Sequence, residues 1–169
     1  MKKRIGIAWD DRYLVDVQII DDQHRELIKQ FNEFYSGCKK SAEPAAFFSN
    51  NIHGLMNYIR FHFSTEEEFL EKIHYPDIAA HKMQHRIFIA DILKRIDTLG
   101  PGRPGIDTTI DYFRDWIITH FSLIDRKYAT YIHIIRSQDR IQDVLIRQSI
   151  ASVCGTCVHQ TLPTEVFIG

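Results

Sequence analysis

The sequence lacks the features that mark several common classes of protein. It has three cysteines in 169 residues, too few for a disulfide framework, so a reducing compartment, the cytoplasm, is the expected location. Lys and Arg number 21 against 22 Asp and Glu, and this balance predicts neither a nucleic-acid groove nor a basic membrane face. No long apolar run follows the basic N-terminus and charges interrupt every apolar run, so neither a signal peptide nor a transmembrane helix is expected. A soluble protein with one main core is therefore expected.

The most informative stretch of the sequence holds two pairs of polar residues. His62 and Glu66 are four residues apart, as are His81 and His85, and this spacing stacks each pair on one face of a helix. A Tyr-Pro-Asp segment between the pairs interrupts the helix. The pattern predicts two facing helices that offer three imidazoles and a carboxylate to one point, as in a metal site.

Apolar residues at helical spacing predict four amphipathic helices. The first is expected to begin near Asp21 and Asp22, whose carboxylates can cap its free N–H groups, and the second near Pro44. The apolar seam of the fourth helix is predicted to run through Ile110, Phe113, Ile117, His120, Ile124, Tyr128 and Tyr131. Residues 1–20 have no helical period and should form an extended arm across the helices. The predicted fold is all-α, an antiparallel up-down-up-down four-helix bundle with an N-terminal arm and a C-terminal extension.

The four seams together contain five histidines and a glutamate, namely His24, His62, Glu66, His81, His85 and His120. A lone histidine in an apolar seam is usually a core residue bonded to backbone, but helix carbonyls are already used and cannot satisfy six groups. Each unpaired buried group would cost about 1–3 kcal/mol, and metal coordination satisfies them together. Asp125 follows His120 by five residues, about 140° around a regular helix, so it flanks the seam and could reach inward.

This ligand count exceeds the needs of one ion, so the residues predict a dinuclear transition-metal site. Imidazole suits iron, zinc, copper or nickel, and the spacing alone does not choose among them. The other histidines serve as an internal comparison, because His53, His74 and His133 are predicted to face away from the seams and His159 to lie outside the bundle.

The order of these motifs resembles the hemerythrin family, and bacterial hemerythrins in particular. It reads His24, then His62-x-x-x-Glu66, His81-x-x-x-His85 and His120-x-x-x-x-Asp125, with no ligand missing. Flanking features also match, including Trp9-Asp10, Tyr13, Ile20-Asp21-Asp22-Gln23, Glu66-Glu67, Tyr75-Pro76 and Trp116. The resemblance covers about residues 5–131.

The resemblance implies a non-haem centre of two iron ions with an oxo or hydroxo bridge and with dioxygen as its ligand. His81, His85 and His120 would bind one iron. His24 and His62 would bind the other, which keeps an open position for dioxygen. Glu66 and Asp125 would bridge the two ions, and an apolar wall of Trp116, Ile117 and Phe121 would keep the pocket dry.

Three functions stay open at this point. The first is reversible dioxygen binding for storage, delivery or scavenging, and the second is an oxygen or redox sensor that acts through the C-terminal extension. The third is a di-iron oxidase, a peroxidase or a nitric-oxide-handling protein. Oxygen-activating bundles use mostly carboxylates with Glu-x-x-His pairs, whereas five imidazoles favour reversible binding, so an enzyme is not expected.

The C-terminal end of the sequence departs from the family pattern. Residues 1–136 are predicted to form the hemerythrin-like bundle, and 137–169 an extension of a helix and a tail through which a protein partner could act. Cys154-x-x-Cys157 could be a redox pair, half of a zinc site or two unlinked thiols. Cys38 lies on the first seam and is expected to be a small core residue.

Overall fold

The computed structural model describes residues 6–99 and 105–138, together with Ile146 and Ile150. A short 3-10 helix, Asp11–Tyr13, precedes α1 (Gln18–Lys40), α2 (Pro44–Lys72), α3 (Ile78–Asp97) and α4 (Ile106–Thr119), and a π-helical turn, His120–Ile124, joins α4 to α5 (Asp125–Gln138). Because α4, the π turn and α5 follow one another without a break, they form the fourth helix of the bundle. The predicted all-α four-helix bundle is confirmed.

The start of α1 differs from the prediction. The helix begins at Gln18 behind Val17, and no side chain caps its first N–H groups. Asp21 instead turns back to the arm, where its Oδ1 accepts a 2.8 Å hydrogen bond from the backbone N–H of Val15. The carboxylate predicted to cap the helix therefore holds the chain that precedes it, because a buried N–H in the arm also needs an acceptor.

The arm is extended and packs on the bundle, as predicted. Val15 and Val17 are buried, and the arm bends between them at Asp16, which has a positive φ of 61°. The guanidinium of Arg126 donates a 2.9 Å hydrogen bond to the carbonyl of Leu14. These contacts fasten the arm to the fourth helix beside α1.

The bundle core has two apolar clusters. The first includes Leu27, Phe31, Phe48, Phe63, Phe88, Phe113, Ile117 and Phe121. The second includes Val15, Val17, Ile20, Phe69, Leu70, Tyr128, Ile132 and Ile135. On α1, His24 lies between Ile20 of the second cluster and Leu27 of the first. The other three helices also carry buried polar residues between residues of the two clusters. A buried polar layer therefore separates the two clusters.

The second cluster also receives a residue from the predicted C-terminal extension. Ile146 is 1% exposed there, and Ile150 packs against the cluster. Cys154 and Cys157 lie outside the described residues, whereas Cys38 is buried in the first cluster as predicted. Among the described helices, none combines the length and the apolar character needed to cross a membrane.

Candidate metal centre

The polar layer contains all seven predicted ligands, which are His24 on α1, His62 and Glu66 on α2, His81 and His85 on α3, His120 in the π turn and Asp125 at the start of α5. Each is buried, with at most 4% of its surface exposed. Every helix of the bundle contributes at least one of them. Of the comparison histidines, His53, His74 and His133 are exposed as predicted, whereas His159 lies outside the described residues.

The π turn explains the placement of Asp125. Regular α-helical geometry puts residue i+5 well to the side of residue i, but π-type i→i+5 bonding brings the two onto one face. Oδ1 of Asp125 consequently lies 3.0 Å from Nε2 of His120. The same extra residue shifts the seam that follows. Ile124 and Tyr131, predicted on the seam, are only partly buried, while Ile132 is buried.

The ligand atoms form two groups that share one residue. One ligand atom from each of Glu66, His81, His85 and His120 lies within 4.8 Å of the others, and the same holds for His24, His62 and Glu66. Asp125 lies between the groups, with Oδ1 3.0 Å from His120 Nε2 and Oδ2 3.5 Å from His24 Nε2. The arrangement is a three-histidine side and a two-histidine side around two carboxylates.

Hydrogen bonds behind the rings orient the two-histidine side. Nδ1 of His24 donates to the backbone carbonyl of Tyr13 at 2.8 Å, and Nδ1 of His62 donates to Oε1 of Gln23 at 3.1 Å. The Gln23 amide in turn donates to the hydroxyl of Thr65. With its proton on Nδ1, each neutral ring turns the lone pair of Nε2 inward, which is the form that binds a cation.

Aromatic rings pack flat against three of the imidazoles. Phe121 stacks on His24 with ring centres 3.8 Å apart, and Phe63 stacks on His85 at 3.7 Å. Trp116 stacks on His120 at 4.2 Å. These contacts restrict rotation of the rings and place apolar surface beside both sides of the site.

Three of the five buried imidazoles favour their neutral form. Burial lowers the pKa of His24 to about 4 and the pKa of His62 to about 3. Burial also holds the pKa of His120 well below its usual value. Burial and the charge of Glu66 together raise the pKa of Asp125 well above the usual range for a carboxyl group. Burial alone would raise the pKa of Glu66, but the charge of His81 and hydrogen bonds with His81 and His85 hold it well below the usual range.

Several buried polar atoms of the site lack a hydrogen-bond partner, and these atoms fit a bound metal. Nε2 of His24, Nε2 of His62 and both carboxylate oxygens of Asp125 are buried without a hydrogen-bond partner among the described residues. The distance between His120 and Asp125 is short, but it does not have hydrogen-bond geometry. A cation on each side of Glu66 would satisfy these atoms together, and imidazole with carboxylate is a donor set for divalent transition metals.

Several contacts of the site could not be read from the sequence. Oε1 of Glu66 accepts a 2.5 Å hydrogen bond from the hydroxyl of Tyr128, and Nδ1 of His85 donates to Oε1 of Glu67 at 2.8 Å. Tyr128 on α5 contacts Glu66 on α2, and Glu67 on α2 contacts His85 on α3. Helical periodicity within one helix does not predict such contacts between helices. The acceptor for His24 is the backbone carbonyl of Tyr13, and residue type does not predict a contact with a backbone group.

The predicted pocket wall divides between the two sides of the site. Phe121 lies on the two-histidine side, where its ring is also 5.9 Å from that of His62, and Trp116 lies on the three-histidine side. Ile117 is buried in the first cluster, 1% exposed. Whether these three residues form the wall of a ligand pocket stays a prediction.

A buried cluster of histidines and carboxylates between the helices of a four-helix bundle defines a metal-binding bundle protein. The family model for the hemerythrin HHE cation binding domain matches residues 15–132, so the chain belongs to the hemerythrin family. This match covers the arm from Val15 onward and all seven residues of the polar layer.

Similar proteins include both bacterial and animal members. A bacteriohemerythrin of Stenotrophomonas maltophilia is 29% identical over 75% of this chain and 81% of its own length. Myohemerythrin-1 of Phascolopsis gouldii is 30% identical over 72% of this chain and 90% of its own. A crystal structure of a hemerythrin point mutant shares the fold, with a TM-score of 0.63 and 24% identity over 75% of this chain and 97% of that one.

Proposed function

We propose that the protein binds dioxygen reversibly at a di-iron centre held by the seven residues of the polar layer. The observation that carries this proposal is the unequal division of imidazoles, three on one side and two on the other, around Glu66 and Asp125. Two iron ions would supply the electrons that dioxygen takes up on binding and returns on release.

The three-histidine side offers the larger donor set, with His81, His85 and His120 directed at Glu66. The two-histidine side offers one imidazole fewer, so a small ligand can approach an ion there without displacing a side chain. Phe121 covers His24 on this side with an apolar face. A dry surrounding of this kind protects a bound ligand from protons and water.

Family membership supports binding rather than catalysis. Hemerythrins and myohemerythrins are oxygen-binding proteins and not enzymes, and the relatives of this chain carry those names. The donor set agrees, since five imidazoles and two carboxylates differ from the carboxylate-rich sites with Glu-x-x-His pairs.

The test uses the full chain, loaded with iron and reduced without air, and then exposed to repeated cycles of air and argon. A visible absorption band that appears in air and disappears in argon over several cycles is the expected result. Permanent oxidation in the first cycle, or no oxygen uptake, would contradict the proposal. His53→Ala, which changes an exposed histidine, is the matched control for His62→Ala, which should abolish the cycle.

A second candidate is a sensor, because one observation ties the C-terminal region to the site. Ile146 is buried in the same cluster as Tyr128, whose hydroxyl donates to Glu66. A ligand can shift an equilibrium only through contacts that differ between two states. Hydrogen exchange of the full chain with and without oxygen decides this candidate, which requires protection to change near Ile146.

A further inference from the structure

Glu67 connects one metal-binding ring to the edge of the protein. It follows Glu66 on α2, and its Oε1 accepts the 2.8 Å hydrogen bond from Nδ1 of His85. Phe63 stacks on the His85 ring with an angle of 1° between the planes, which fixes the orientation of the ring. Nε2 of His85 therefore stays turned toward Glu66, whose Oε2 lies 3.2 Å away.

The two sides of the site differ in what stands behind their rings. On the two-histidine side, the acceptors are a backbone carbonyl, at Tyr13, and an amide oxygen, at Gln23. On the three-histidine side, the acceptor behind His85 is the carboxylate of Glu67. Of the contacts that the described residues show at Nδ1 atoms in the polar layer, this one alone involves a charge.

A carboxylate behind an imidazole changes how strongly the ring donates to a metal. It draws the Nδ1 proton toward itself, leaves more negative charge on the ring and raises the basicity of Nε2. A stronger donor favours the higher oxidation state of an iron ion. A neutral carbonyl in the same place fixes the ring without this added charge.

Lys82 on α3 partly neutralises the negative charge that Glu67 places beside His85. Its Nζ lies 3.7 Å from Oε2 of Glu67 and 2.5 Å from Oε1 of Glu71. Glu67 and Lys82 are both about one-quarter exposed, so their interaction is only partly screened by water. The carboxylate of Glu67 therefore lies between the His85 ring and the ammonium group of Lys82.

We propose that Glu67 is a positioning residue that makes His85 a stronger metal donor, stabilises the oxidised state at the three-histidine side and is moderated by Lys82. The inference rests on the proposed function only in that iron occupies the polar layer. It does not require that the iron carry oxygen. It adds an electronic difference between the two sides of the site to the difference in the number of imidazoles.

The first measurement is the midpoint potential of the iron-loaded full chain in an anaerobic redox titration. Glu67→Gln should shift the potential in the positive direction, because a neutral amide replaces the carboxylate behind His85. Lys82→Met should shift it in the negative direction, because Glu67 then keeps its full charge. Glu68→Gln removes the same charge from the next position, where Glu68 pairs with Lys72, and should leave the potential unchanged.

The second measurement is the affinity of the metal-free full chain for Zn²⁺, in competition with a coloured chelator. Glu67→Ala should weaken binding by about 10–100-fold, as is usual when the group behind a ligating histidine is removed. Glu67→Gln should weaken it less, because the amide oxygen still accepts the Nδ1 proton. This readout does not depend on oxygen or on iron oxidation.

Equal potentials for Glu67→Gln, Glu68→Gln and the unaltered chain would overturn the inference and leave Glu67 as a surface partner of Lys82. If Glu67→Gln takes up no iron, Lys82→Met decides, since an unshifted potential there also overturns it. If the unaltered chain takes up iron but does not cycle oxygen, and Glu67→Gln still shifts the potential, the proposed function fails and the inference stands.

Discussion

The hydroxyl of Tyr128 donates a 2.5 Å hydrogen bond to Oε1 of Glu66, the carboxylate that both groups of histidines share. Tyr128 is fully buried and stands in the second apolar cluster. The pairing joins α5 to α2 across the polar layer and removes one free lone pair from a buried anion.

Tyr128→Phe is expected to destabilise the metal-free protein by about 1–3 kcal/mol, because it leaves an oxygen of Glu66 without its donor. Denaturant unfolding measures the change. Tyr131→Phe is the control, since the Tyr131 hydroxyl makes longer contacts, 3.4 and 3.3 Å, with the carbonyls of Ile73 and His74. Equal losses of stability in the two variants would show that the hydrogen bond to Glu66 stabilises the protein no more than the contacts of Tyr131.

Protein produced with iron available should contain two irons per chain, because the donors form two groups around Glu66. His85→Ala removes a donor from the three-histidine side and should lower the iron content, whereas His53→Ala, at an exposed position, should not. Elemental analysis checks this. One ion per chain, or zinc alone, would rule out the dinuclear interpretation.

The metal-free protein should lose stability as pH falls from about 6.5 toward 4. The pKa values of His24, His62 and His120 are lowered by burial, so in this range the unfolded chain binds protons that the folded chain refuses. Each proton difference contributes about 1.4 kcal/mol per pH unit. Asp125 opposes this trend, because its raised pKa lets the folded state hold a proton that the unfolded state releases.

The direction of this pH dependence can be checked by measuring the free energy of unfolding in urea at several pH values after chelation of the metal. Asp125→Asn removes the opposing group, so its loss of stability on acidification should be steeper than that of the unaltered chain. A stability that is flat or rises toward pH 4 would contradict the prediction. His85, whose pKa is raised by its bonds to Glu66 and Glu67 although burial lowers it, changes charge above this range.

Ile117→Ala should speed irreversible oxidation of the iron centre while leaving iron loading nearly normal. Removing a buried side chain beside the π turn opens space for water near the site. Ile52→Ala is the matched control, because Ile52 is equally buried in the first cluster but lies away from the ligands along α2. If both variants oxidise at the rate of the unaltered chain, other residues form the wall of the pocket.

Truncation after residue 136 is expected to leave iron and oxygen binding intact, since all seven ligands precede that point. Ile146 complicates the expectation, because the shortened chain loses a side chain that is buried in the second cluster. Ile146→Ala in the full chain should cost about 2–5 kcal/mol by the usual measure for buried isoleucine. Iron titration and unfolding of both variants separate a structural role from a functional one.

Loss of iron binding in the shortened chain would make the extension part of the core fold. Cys154→Ser in the full chain tests the separate prediction of a redox role for the cysteine pair. Unchanged iron binding and oxygen affinity under reducing and oxidising conditions would leave the pair without that role.

The sequence predicts the fold and most of the site because buried residues recur at 3.6-residue spacing. His62, Glu66, His81 and His85 follow this rule and could be placed on their faces from spacing alone. The direction of Asp125 could not be predicted in this way, because regular helical geometry places it to the side of the seam. The additional residue in the π turn brings it onto the face of His120. The contacts of Glu67 and Tyr128 depend on how helices meet, which residue spacing within one helix does not contain.

The polar layer also has a topological consequence. Ions held by His24 on α1 and by Asp125 at the start of α5 would cross-link positions about a hundred residues apart. Closing a loop of that size removes chain entropy from the unfolded state, and the relation that describes disulfide cross-links puts the stabilisation at about 4–5 kcal/mol. Bound metal ions would thus provide a cross-link that is released by chelation, whereas a disulfide is released by reduction.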